Sequence, residues 1–112
     1  MQAVLHISDL PDGALDAAAD FHARYLPEAR AALDGKAQEL ALVFPAAGHD
    51  HAGWREAAVA DLARMAVPKR VNGVSGGDEA ALGETLAWLA AAPGITGQLL
   101  RVDGTGAGNP AQ

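Results

Sequence analysis

The chain has 112 residues, a formal charge of −6 at pH 7, and half of its residues hydrophobic. Alanine supplies 27 of those hydrophobic residues, and the aromatics are only Phe21, Tyr25, Phe44, Trp54 and Trp88. Such a chain has room for one domain with a thin core, so self-association or a partner is expected. The lack of cysteine excludes a disulfide framework and thiolate chemistry. The acidic balance argues against nucleic acid, whose binding rests on basic patches. No run approaches the ~18 apolar residues of a membrane span. The opening MQAVLHISDL lacks the basic flank and apolar stretch of a signal peptide, so a cytoplasmic, membrane-free protein is expected.

In chain order, residues 3–7 (AVLHI) read as a first strand, followed by the turn signal Asp9-Leu10-Pro11-Asp12-Gly13. A helix capped by Asp12 or a neighbour is predicted over 12–33. Leu15, Ala18, Ala19, His22, Tyr25, Leu26, Ala29 and Leu33 form its stripe. Pro27 inside it predicts a kink or a restart. Glu28 with Arg24 reads as a surface i,i+4 pair. Residues 40–44 (LALVF) are apolar throughout, as a strand buried on both faces is. A second helix is predicted over 54–66, with Trp54, Ala58, Leu62 and Met65 inward and Pro68 as its stop. Residues 70–74 (RVNGV) give a third strand. A third helix starts near the acidic Asp78, which suits the helix dipole. Its stripe is Ala81, Leu82, Leu86, Trp88 and Leu89, with Trp88 in the core or at an interface, and Pro93-Gly94 stops it. Residues 98–102 (QLLRV) give a fourth strand, and the Gly-rich tail 105–112 is expected to fray. Strands alternating with helices predict an α/β fold, βαβαβαβ, with a four-stranded, mostly parallel sheet and three helices within 1–104.

The second half resembles the C-terminal part of short-chain dehydrogenases/reductases. The residues carrying the likeness are Asp61-Leu62-Ala63-Arg64, Arg70-Val71-Asn72 through Gly77, and Ile95-Thr96-Gly97-Gln98 followed by Asp103-Gly104. Gly76 stands where the family usually has Pro. Residues 25–27 through 40–44 are similar to the family's long interface helix and the strand after it. The resemblance spans about 21–104 and implies a truncated, half Rossmann-like domain with the last four of seven strands. The half that binds the adenine and pyrophosphate has no counterpart.

The chemistry of that family has no full counterpart either. A dinucleotide site needs a Gly-rich turn between strand and helix. Here the first strand leads into Ser8-Asp9-Leu10-Pro11-Asp12-Gly13, with one glycine and two carboxylates. The glycine cluster 104–108 follows a strand but precedes no helix. The resemblance implies a Tyr and a Lys four residues apart, the Tyr as acid/base. The region from Gly48 to Arg55 holds neither. His51 and Arg55, also four apart, are the nearest counterpart and the catalytic candidates. Arg carries a fixed charge and a different geometry from Lys. Asn72, Ser75, Gly76 and Gly77 are the candidates for cofactor binding, because the family uses the backbone after this strand for the nicotinamide end. A turn and helix cap is the favoured reading of them. His49-Asp50-His51 flanks a carboxylate with two imidazoles, but i,i+2 side chains converge only on extended backbone and zinc needs a third ligand. No metal is expected there, and the reading is a polar loop entering the second helix.

These readings converge on a non-catalytic short-chain-dehydrogenase-like protein, a pseudoenzyme acting as a homo-oligomeric scaffold or as a small-molecule or protein-binding module. Family members associate through helices matching 12–33 and 54–66, and the edge strand 3–7 is a second route to a dimer or tetramer. No cofactor is expected. The alternatives are a degenerate NAD(P)-dependent oxidoreductase with a site rebuilt between subunits around His51 and Arg55, and an accessory subunit completing its sheet with a partner. A full-length family relative is one such partner.

Overall fold

Each of the four apolar runs forms a strand in the computed structural model, which describes residues 1–102. The strands are β1 (Gln2–His6), β2 (Glu39–Phe44), β3 (Arg70–Ser75) and β4 (Leu99–Arg101). The helices are α1 (Ala14–Asp20), α2 (Leu26–Asp34), α3 (Ala52–Ala66) and α4 (Glu79–Ala90). A π-helical turn, Phe21–Tyr25, joins α1 to α2 in one rod, so the sheet carries three helical connections as expected. All pairings are parallel, in the order β1-β2-β3-β4. The tail 105–112, the glycine cluster 104–108 and the Asp103-Gly104 part of the resemblance lie outside the described residues.

Alternation along the strands sends side chains to two faces. Leu40, Leu42, Phe44 and Val71 meet Phe21, Tyr25, Ala29 and Leu33 of the rod and Ala58, Val59, Leu62 and Ala63 of α3. Val74 and Leu100 point the other way, to Ala81 and Leu89 of α4. Leu40–Phe44 is buried at every position, as its unbroken apolar run predicts for a strand covered on both faces, and Glu39 before it is buried as well. The connections all step across the sheet in one direction, yet the last helix lies on the opposite face from the first two. The β3–α4–β4 crossover therefore has the opposite hand to the others. β1 lies at one edge, as expected, and Val4 and His6 are exposed there, so α4 leaves that corner of its face uncovered.

The rod corrects the predicted stripe. Its buried residues are Ala17, Phe21, Tyr25, Ala29 and Leu33, every fourth position, while Leu15 is 88% exposed and Ala19 and His22 face solvent. The reason is the π turn. Pro27 has no N–H to offer the preceding turn and its ring crowds the carbonyl four residues back. The Leu26 N–H bonds Phe21 O instead. The wider turn carries the inward face forward by four residues per turn rather than 3.6. Gly13, the neighbour of Asp12, is the N-cap of α1, with no side-chain cap. Arg24 pairs not with Glu28 but with Asp20, through Nε at 2.9 Å and Nη2 at 2.7 Å, because its guanidinium also reaches the carbonyls of Ser8 and Asp9.

On α3 the inward set is Arg55, Ala58, Val59, Leu62 and Ala63. Met65, predicted inward, is 53% exposed, and the helix begins two residues earlier than predicted, behind a 3₁₀ turn at His49–His51. On α4, Asp78 is the N-cap and accepts from the Ala81 N–H at 2.8 Å. Thr85 is buried by bonding back to Ala81 O, whereas Trp88 is 38% exposed. Two basic side chains hold helix C-termini, where carbonyls lack partners. Lys69 Nζ reaches Leu33 O and Gly35 O after α2. Arg70 Nη1 reaches Leu89 O, Ala92 O and Ile95 O after α4, and its Nη2 lies 3.4 Å from the buried Glu39 carboxylate.

Candidate functional site

The C-terminal ends of β2 and β3 open a crevice for a topological reason. The chain leaving β2 turns to α3 on one face, and the chain leaving β3 turns to α4 on the other. Ligands of parallel α/β sheets sit where neighbouring connections diverge in this way. The crevice is a cleft of about 420 Å³ lined by Ala46, Ala47, His49, Ser75, Gly76, Arg101 and Val102. Beside it, sharing Ala47, Ser75 and Arg101, is a recess of about 20 Å³ that reaches His51 and Arg55.

The first turn of α3 brings His51 and Arg55 together, but each is engaged with the fold. His51 is buried. An indole N–H only donates, so Trp54 Nε1 donates to His51 Nδ1 at 3.1 Å. The imidazole proton then sits on Nε2 and is donated to the Asp12 carbonyl at 2.9 Å. Both ring nitrogens are thereby spent in tying the β1–α1 loop to α3. The same loop is held from its other side by Tyr25, whose hydroxyl donates to Ser8 O at 2.8 Å and accepts from Ser8 N–H at 3.0 Å. Arg24 adds its bonds to Ser8 O and Asp9 O. A loop carrying Asp9 and Asp12 and closed by these three side chains does not fit a pyrophosphate.

Arg55 is only 4% exposed. Its Nη1 donates to Pro45 O at 2.9 Å and Ser75 Oγ at 3.2 Å, and its guanidinium lies 4.8 Å from the Phe44 ring centre. Nε is buried without an acceptor. Burial pushes the guanidinium below its usual basicity, because the charged form loses water.

The four residues after or within β3 separate into different roles. Asn72 is fully buried on the α4 face, donating to Ile95 O at 2.9 Å and accepting from Gln98 N–H at 3.1 Å, so it pins the α4–β4 loop. Gly76 and Gly77 have φ of 79° and 84°, and a Cβ on Gly77 would stand 2.7 Å from Val102 Cγ1. They form the tight turn to the Asp78 cap. Only Ser75 lines the crevice with a side-chain hydroxyl, bonded to Arg55. In the 3₁₀ turn His49 and Asp50 are exposed while His51 is buried, and no three His, Asp or Glu side chains among the described residues are placed to share a metal ion.

Three side chains of this region escape sequence reasoning. Arg101 ends β4 beside Ser75; a lone charge in the apolar run QLLRV, placed at a strand's C-terminal end, was its signal. Arg24 and Tyr25, which clamp the β1–α1 loop, gave none, because their partners are backbone atoms about sixteen residues away.

Fold and site together define a half Rossmann-like α/β protein whose polar side chains gather where the strands end. The family model for SDR-like, short chain dehydrogenase-like protein, matches residues 5–102. The chain belongs to that family. It matches no curated protein and no solved structure. No helix among the described residues is long and apolar enough to cross a membrane.

Proposed function

We propose that this chain is a non-catalytic member of its family that works as a self-associating binding scaffold. The observation that carries this reading is the commitment of His51. His51, the imidazole four residues before Arg55 and the acid/base candidate of that pair, has both nitrogens bonded inside the fold, to Trp54 and to Asp12 O. A proton shuttle needs one nitrogen facing substrate. Arg55, the other half of that pair, is turned onto Pro45 and Ser75.

Two surfaces support self-association. Between the rod and α3 lies a groove of about 190 Å³ lined by Leu26, Ala58, Leu62 and Met65, with Arg30 and Asp61 at hand. Opposite charges beside an apolar strip suit a two-fold contact, in which each patch meets its own copy. The edge of β1, QAVLH, carries no Lys, Glu, Asp or Pro to discourage strand addition. The test combines the solution mass of the purified full chain with an assay for carbonyl reduction by NADH and NADPH. A dimeric or larger mass without turnover is expected. Turnover of a carbonyl substrate overturns the non-catalytic part, and a stable monomer overturns the self-association.

A further inference from the structure

We infer that the crevice at the ends of β2, β3 and β4 binds the oxyanion group of a small molecule, a carboxylate or a phosphate ester, between Arg55 and Arg101. This rests on the binding-scaffold reading and names the chemistry of what is bound. The chain has 14 acidic residues against 8 Lys and Arg, yet the buried Arg55 faces no carboxylate among the described residues. Its acceptors are a carbonyl and a hydroxyl, both neutral, and its Nε has none. A cation taken out of water in this way is costly unless a counter-charge meets it. Asp78, the nearest acid in sequence to Ser75, is committed to the Ala81 N–H, and Asp50 lines neither the cleft nor the recess.

Arg101 supplies a second guanidinium from the neighbouring strand, exposed and without an ion pair among the described residues. Two guanidiniums suit a planar carboxylate or a phosphate, since their N–H groups offer paired, forked donors. Ser75 Oγ accepts from Arg55, which leaves the hydroxyl proton to donate toward the cleft. The recess beside Arg55 has room for little more than one water, so the body of the ligand occupies the larger cleft and only its charged end approaches Arg55.

The experiment is a titration of the full chain, followed by backbone amide NMR, with malonate, inorganic phosphate and NADH in turn at constant ionic strength. Saturable shifts centred on Ala47, Ser75, Gly76 and Arg101 are expected with malonate, phosphate or both, and which of them saturates identifies the source of the oxyanion. Arg101→Ala, an exposed position that leaves the fold intact, is expected to weaken that binding at least about tenfold, the loss of a charged hydrogen bond. Unchanged affinity in Arg101→Ala overturns the assignment. So does the lack of saturation with both anions; if NADH also gives no shifts, the scaffold reading is left standing. Saturation by NADH alone at these residues overturns the anion assignment, since the free anions then do not suffice, and the carbonyl-reduction assay then decides the non-catalytic reading.

Discussion

Replacing His51 with Ala is expected to lower stability by about 3 kcal/mol. The imidazole holds two elements of different chain position together, so its loss is felt in three places. The bond to Asp12 O is worth about 1 kcal/mol net, and the half-buried Trp54 N–H left without an acceptor costs about 1–3 kcal/mol. The edge-on contact of the two rings, 6.3 Å between centres, adds about 0.5–1 kcal/mol. A domain of this size shifts its midpoint by about 4–8 °C per kcal/mol, so thermal unfolding should fall by about 12–24 °C. Amide exchange of residues 8–13 should rise more than that of β2 and β3, since the loop loses its tie to α3. His51→Gln should recover part of the loss, because one amide end can accept from the indole and the other can donate to the carbonyl. An Ala variant melting within about 2 °C of the parent at neutral pH refutes the structural role, that change being under about 0.5 kcal/mol. A Gln variant no better than Ala also counts against it.

Three other substitutions test the packing that places the site. Arg70→Met strands the Glu39 carboxylate, 3% exposed, with only the Gln2 amide at 3.3 Å, and should cost about 3–5 kcal/mol in urea unfolding. Adding Glu39→Gln should restore a measurable share, and no recovery would show that the charge pair is not the cause. The hydrogen bond from Arg24, helped by its charge, holds the Asp20 carboxyl below its usual value of 3.8. A depressed acid contributes stability that is fully present above the unfolded value and is lost as pH falls through the folded one. Asp20→Asn should therefore melt below the parent at about pH 6 and converge with it at about pH 2; parallel curves across that range contradict the pairing. Gly77→Ala forces a non-glycine residue to φ 84° and drives its Cβ toward Val102, at a cost of about 1–3 kcal/mol. Gly83→Ala, in α4 with open space around it, should instead gain about 0.5–1 kcal/mol; equal signs for the two glycines would refute the assignment of the turn.

The order of elements and the parallel sheet were legible because each run announces its own state locally. LALVF is apolar at every position and bounded by breakers, and it is buried on both faces. Asp78 precedes a helical stripe and caps α4 through its own carboxylate. Pro27 foretold an irregularity in the long helix, and Arg70-Val71-Asn72 with Thr96-Gly97-Gln98 pointed to the family. Those motif residues turn out to be joints. Arg70 closes the end of α4, Asn72 links Ile95 to Gln98, and Thr96 Oγ1 accepts from the Val71 N–H at 3.1 Å.

Side-chain facing was less legible, since it depends on a turn geometry that no local pattern declares. A π turn before Pro27 moves the buried stripe to Ala17, Phe21, Tyr25, Ala29 and Leu33, and a 3.6-residue period misplaces Leu15 and His22. The site depends still more on distant partners. His51 and Arg55 stand out in the sequence by their spacing, but their roles follow from Asp12 O, Pro45 O and Ser75, contributed by three other segments. By itself, then, the sequence determined the strands, the helices, the family likeness and the candidate residues, all properties set by neighbours along the chain. Only the tertiary structure decided that His51 is a tie, that Asn72 is a joint, and that Arg55, Ser75 and Arg101 share one crevice. That meeting is made by parallel strands side by side and by two helices leaving on opposite faces, and the pairing of segments tens of residues apart is a property of the folded chain alone.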